Sequence, residues 1–272
     1  LNVILKGKKL KVKNKGILRG VGLMDILKFP AIQIKKGKVM DIVDDVCVEE
    51  TFHIYLNDEL LADIVASPAQ LKELGAGLVV CEGLVDNVKD IDTVDVSQDE
   101  IRVYAKTHGN LEKRVVETGG GISIGEGFKR VRSSMVIKRD DVFKIISQIE
   151  SDVWKRTGGV HSSVLFSNNE LVVRCSDIGR HNTIDKVIGF AFFHDIDLSR
   201  CVIGCTGRQP AGMVVKVANA GVPIIISRAP STDKGIHIAD EAGVTLICFA
   251  REGRFTVYTH PHRIYEIGIK AG

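Results

Sequence analysis

The 272-residue chain reads as an α/β protein with an α+β N-terminal part, and three features carry that reading. From residue 161 onward, apolar strand-like runs alternate with helical ones, as a sheet with helices packed on it requires. Gly221 and Gly243 stand at the ends of two of those helices, where a left-handed cap is wanted. Ahead of them, strands at hairpin spacing and one helix with a start signal form a smaller unit.

Taken in order, residues 1–44 are a basic extension: positions 1–40 hold eleven Lys or Arg against the single acid Asp25. Such an arm suits a polyanion or plain solvation. No zinc finger, aromatic-rich RNA motif or helix-turn-helix follows it, which argues against nucleic acid. Residues 45–135 make the hairpin-helix unit. VCVEETFHIYL (46–56) alternates as a strand, NDE turns and LLADIVA returns. Ser67 is placed to cap a helix with Pro68 at its first position and Leu71, Leu74 and Leu78 on one face. Strands near 93–96 and 101–106 flank the turn SQDE. TGGGISIGEG (118–127) holds five glycines and reads as a flexible linker, because it lacks the Lys-Ser/Thr ending of a phosphate-binding P-loop.

Residues 136–272 form the larger α/β domain. A helix from Asp140 presents Val142, Ile145, Ile146, Ile149 and Val153 on one face. There follow a hairpin SVLF-SNNE-LVVRC, a helix after His181, strand CVIGC, helix PAGMVVKVANAG, strand PIIISR, helix STDKGIHIADEAG and strands TLICFA and FTVYT.

Composition is that of a soluble globular protein, 44% hydrophobic and 26% charged. No stretch approaches the roughly 20 apolar residues of a membrane helix, and the basic start lacks a secretory leader's apolar centre. A cytoplasmic protein is expected. The six cysteines form no CxxC pair and mostly sit in apolar runs, so buried, reduced thiols are expected. Cys205 stands apart, at the end of a strand before a Gly-containing loop. Neither HExxH nor PCxxC occurs, so no metal site is expected.

The chemistry is expected in loops at breaks between elements. TGGVH (157–161) puts two glycines ahead of His161, and the same pattern also fits a tight turn before a strand. SDIGRHNTIDK (176–186) gathers Asp177, Gly179, Arg180, His181 and Asn182 at a loop-helix junction. With Asn182 as N-cap, Arg180 and His181 lie just ahead of a helix N-terminus that favours anions. A salt-bridge network of Asp177, Arg180 and Asp185 is the structural alternative. FAREGR (249–254) reads as a hairpin turn in which Arg251 and Arg254 flank Glu252 and Gly253, able to clamp a diphosphate beside Phe249 and Ala250. TGRQPAGMVVK (206–216) adds Arg208, with Pro210 at the start of a helix.

TGGVH, DIGRHNTIDKVIG, TGR with MVVK, AGVPIIISRAPST, GVTLICF and GRFTVYT, in that order, resemble the FdhD/NarQ family, as does SPAQLKELGAGLVVCEGLV in the first half. The resemblance implies a cytidine-deaminase-like mixed sheet with helices on both faces and without zinc, a homodimer, and a cytoplasmic role in maturing formate dehydrogenase. It further implies a sulfurtransferase that takes sulfur from a cysteine desulfurase and passes it to bis-molybdopterin guanine dinucleotide, the bound cargo. The Phe249 to Arg254 turn is then assigned to cofactor binding. This chain departs at the sulfur-carrying loop, where Gly120 and Ser123 stand in place of the family's cysteines, and a hydroxyl cannot hold a persulfide. Ser176 and Gly212 replace two usual glutamates. Two further readings stay open: sulfur carried instead on Cys205 or Cys175, or a chaperone that binds the cofactor or a GDP-like nucleotide without transferring sulfur.

Overall fold

A computed structural model describes residues 2–5, 8–11, 25–85, 88–107, 115–116, 122–123 and 127–268. Two separate hairpins come first: β1 (Asn2–Leu5) with β2 (Lys8–Lys11), and β3 (Ile26–Lys35) with β4 (Lys38–Cys47). Positions 26–44, expected within a basic extension, therefore form most of a long antiparallel ribbon, turning at Lys36 and Gly37 where both φ are positive.

Next, β5 (Glu50–Leu56) and β6 (Glu59–Ala66) make the expected hairpin. Helix α1 (Leu71–Cys81) follows, then β7 (Ile91–Ser97) and β8 (Glu100–Ala105). The four strands order as β6-β5-β8-β7, with β5 and β8 parallel. Ser67 does not cap α1. The helix starts at Leu71 after a left-handed Gln70, while the Ser67 amide is bonded 110 residues away to Asp177. A two-residue ladder pairs β9 (Val115–Val116) with β10 (Ile122–Ser123).

The helix expected from Asp140 is two helices. α2 (Arg139–Ser147) ends early, and α3 (Asp152–Thr157) restarts behind Ser151, whose hydroxyl caps the Trp154 amide. The remaining elements follow the expected alternation: β11 (His161–Ser167), β12 (Glu170–Asp177), α4 (Arg180–Phe193), β13 (Cys201–Cys205), α5 (Ala211–Asn219), β14 (Ile224–Ser227), α6 (Asp233–Ala242), β15 (Thr245–Arg251), β16 (Arg254–Val257) and a final turn of helix, α7 (Tyr265–Gly268). They build one six-stranded mixed sheet, β12-β11-β13-β14-β15-β16, in which β13, β14 and β15 are parallel and the other pairings antiparallel.

Strand alternation divides this sheet's side chains between two apolar layers. Val164, Phe166, Ile224, Ile226 and Ile247 face α2. Leu165, Ile203, Cys205, Ile225 and Leu246 face the other way, in a core shared with α4, α5, α6, α1 and the four-stranded sheet. Helices thus cover both faces, as expected. At the crossing of α1 and α4 the backbones touch: a Cβ added at Gly77 would collide with the carbonyl of Asp185, and one at Gly189 with that of Glu73.

Candidate functional site

In an open sheet the strand ends that split apart offer unpaired backbone and room for a ligand. Here that place is the carboxyl edge of β13, β14 and β15. The register puts the start of β11 and the end of β12 on the same edge, with His161 opposite Asp177, Ser163 opposite Cys205, and Cys205 opposite Ser227. All the loops singled out from the sequence in residues 157–254 open onto this edge.

The DIGRHNTIDK segment divides into an inner and an outer half. Inside, the fully buried Asp177 accepts hydrogen bonds from the amides of Ser67 (3.0 Å) and Gly179 (2.8 Å) and from Asn182 Nδ2 (2.8 Å). It also pairs with the fully buried Lys186 at 2.6 Å, and Lys186 donates to the Ser67 carbonyl at 3.1 Å. Asp185 pairs with Lys216 at 2.9 Å, and Lys216 also meets Glu82 at 2.7 Å. Burial disfavours the Lys216 charge, but Asp185 and Glu82 outweigh it and hold the ammonium above its ordinary pKa. The ion network considered from sequence is therefore real in kind but different in its pairs. Asn182 is not the N-cap: Gly179 holds that position, and Asn182 spans the third helical position to bridge Asp177 and the Val65 carbonyl.

The outer half faces the edge. Arg180 and His181, both buried, form the first residues of α4, where the backbone amides already favour an anion. Gly207 lets Arg180 lie across the loop after β13, since a Cβ there would sit 2.8 Å from that of Arg180. His161 Nδ1 lies 3.1 Å from the Thr206 hydroxyl, which accepts the Ser162 amide at the same distance. Burial first, then Arg180, His181 and Arg208, lower the His161 pKa, with Asp177 opposing in part. The imidazole is held toward its neutral form beside two arginines and a second histidine. His161, Asp177, Arg180, His181 and Arg208 are thus brought together.

Arg251, Glu252, Gly253 and Arg254 stand exposed at the β15–β16 turn, where Arg251 pairs with Arg254 in register and Gly253 has φ 80°. Phe249 is half-buried at a bulge with φ 52°, its amide bonded to the Ala229 carbonyl, and Ala250 is buried. This turn lies two strands along from β13, roughly 10 Å at the usual strand spacing. It lies further along the same edge than the Arg180 cluster. An extended polyanion suits such an edge.

Of the sulfur-loop positions, Gly120 lies outside the described residues and Ser123 sits in β10 opposite Val115. Cys205 is only 1% exposed, and burial pushes its thiol up to about 11, with Gln209 Nε2 donating to the sulfur at 3.0 Å. Burial likewise raises Cys175 to about 12. Neither is placed as a ready thiolate. Cys47 alone among the six is not buried. It sits at the end of β4 with Sγ bonded to the Gly159 carbonyl at 3.4 Å, beside TGGVH. Sequence reasoning passed over Cys47 and Thr206; the polar neighbours in VDDVCVEE were the available signal for the first.

Fold and edge together define an α/β protein whose six-stranded mixed sheet gathers arginine, histidine and glycine loops at one strand edge. The chain belongs to the FdhD/NarQ family, whose sequence profile matches residues 47–265. It is 34% identical over 221 residues to Protein FdhD of Methanocaldococcus jannaschii, covering 80% of this chain and 90% of that one. Identity is also 34% to the Sulfur carrier protein FdhD of Methanothermobacter thermautotrophicus, covering 82% and 91%. A Desulfotalea psychrophila crystal structure, described as that of a candidate formate dehydrogenase accessory protein, superposes with a TM-score of 0.74 at 27% identity, covering 88% of this chain and 99% of that one. Among the described residues no helix is long and apolar enough to cross a membrane.

Proposed function

We propose that this protein binds bis-molybdopterin guanine dinucleotide along the carboxyl edge of its six-stranded sheet and assists formate dehydrogenase maturation in the cytoplasm as a homodimer. The observation that carries the reading is the convergence of Arg180, His181 and Arg208 on His161 at the N-terminus of α4. Arg180 offers a bidentate fork to a phosphate, and the α4 amides add their dipole. Arg251 and Arg254, exposed at the β15–β16 turn, would meet a second phosphate further along the edge, beside Phe249, which is half-buried against the core. The family's naming as sulfur carriers supports the accessory role.

The transfer half stands on different ground. Accepting sulfur from a cysteine desulfurase persulfide requires a thiolate to attack the terminal sulfur, releasing the desulfurase cysteine as the leaving thiolate. Gly120 and Ser123 offer none, and Cys205 and Cys175 are buried with raised pKa. These facts favour a second reading, a cofactor- or nucleotide-binding chaperone that does not relay sulfur. Labelled sulfur from a desulfurase, followed by mass spectrometry of the intact protein and its peptides, separates the two. Label on any cysteine, with Cys47 the most accessible, supports a carrier; a blank result leaves the chaperone. Calorimetry with GDP tests the binding half, which fails if Arg180→Lys and the unaltered protein bind GDP equally.

A further inference from the structure

At the opposite end of the six-stranded sheet a cleft of about 730 Å³ opens between residues 132–137, α2, the β11–β12 turn and the short helical turn Leu198–Arg200. Its floor is apolar: Ile145, Phe166 and Val202 are buried there and Met135 is half-buried. Arg132 and Arg200 line it from exposed positions, and neither guanidinium has a carboxylate partner among the described residues.

The backbone supplies the deciding feature. Residues 132–136 belong to no sheet, yet their exposure alternates as in a strand, with Arg132, Ser134 and Val136 out and Ser133 and Met135 half-covered. The Met135 amide is bonded to the Ser133 hydroxyl at 3.1 Å, while those of Arg132, Ser134 and Val136 donate to nothing among the described residues. An exposed stretch of this kind is a template for an added strand.

We propose that this cleft docks an extended acidic segment of a partner protein, which pairs as a strand with residues 132–136, sets apolar side chains on the floor and places carboxylates on Arg132 and Arg200. A compact small anion would leave the line of free amides unused, and no buried polar side chain marks a single point for one to occupy. Asp141, whose carboxylate already accepts the Lys138 amide at 2.8 Å, puts a like charge on the α2 wall and so directs the acids toward the arginines.

The test uses the full chain and fluorescein-labelled Ac-Glu-Leu-Asp-Leu-Glu, with its lysine counterpart Ac-Lys-Leu-Lys-Leu-Lys. Saturable anisotropy is expected for the acidic peptide alone, and amide shifts of the 15N-labelled protein should concentrate in residues 132–136, 166–169 and 199–202. Combining Arg132→Ala with Arg200→Ala should weaken binding about tenfold or more, with the melting temperature unchanged because both side chains are exposed. N-methylation at alternate peptide amides should weaken it as well. The idea is overturned by no saturable binding, by equal binding of the lysine peptide, or by full affinity in the double variant. Shifts centred on the Arg180 edge overturn it too, as does stronger, competing binding of anilinonaphthalene sulfonate, which would make the cleft a small-anion site.

Discussion

Arg180 and His161 are where the binding reading is most exposed to test. Arg180→Lys keeps the charge but loses the planar fork, so GDP affinity should fall about tenfold. The His161 pKa is depressed in the folded protein, so the unfolded chain takes up the proton first as pH falls below 6.5. His161 should therefore cost stability progressively between that value and its lower folded one, and contribute no pH dependence above 6.5. Urea melts of His161→Gln should show a shallower loss below pH 6.5. An anion bound beside His161 leaves the effect of burial in place but offsets the lowering by Arg180, His181 and Arg208, so GDP binding near pH 6 should take up protons, visible as a calorimetric enthalpy that depends on the buffer's ionisation heat. Cysteine accessibility gives a separate check. Iodoacetamide should label Cys47 in the native protein, with the five buried thiols reacting only on unfolding. Rapid native labelling of Cys205 would contradict its placement.

The elements were legible from sequence wherever a local signal decided them. The alternating runs of residues 161–257, the Gly243 cap of α6 and Pro210 just before α5 are all set by neighbours a few residues away. Two misreadings, at Ser67 and Asn182, fell where a distant partner claimed a local signal. Ser67 has the composition of a cap, but Asp177 takes its amide and Lys186 its carbonyl, so α1 begins later. Asn182 likewise spends its side chain on Asp177 and Val65. The site was readable as residue types but not as a partition, because nothing in the string DIGRHNTIDK says which charges turn inward. Contact between α1 and α4 is equally silent in sequence, since a helical glycine reads as a flaw until another backbone is found against it. Gly77→Ala and Gly189→Ala should each destabilise by about 2–3 kcal/mol through overpacking at the crossing, measured by urea unfolding. If either is neutral, the helices are not in backbone contact.

On the scale of the whole molecule, the N-terminal hairpin-helix unit and the larger α/β part share one apolar core, and buried ion pairs tie them together. Asp177 and Lys186 clamp the joint at Ser67, while Lys216 on α5 reaches Glu82 at the end of α1. Such pairs add little net stability over a well-packed apolar core, but removing one member strands a buried charge, which costs about 3–5 kcal/mol. Lys216→Met leaves both Glu82 and Asp185 without their cation, so it should unfold far more easily than a surface lysine variant. More tellingly, the two parts should not melt separately. Trp154, the single tryptophan, reports from α3 on the larger part, whereas far-ultraviolet dichroism averages over all helices and strands. Their urea transitions should coincide, with one midpoint and one slope, because the core around α1 and α4 is shared by both parts. Two separated transitions would mean that α1 leaves α4 without cost, and the carboxyl edge of the sheet, which hangs on the Asp177 clamp, would then be independent of the N-terminal unit.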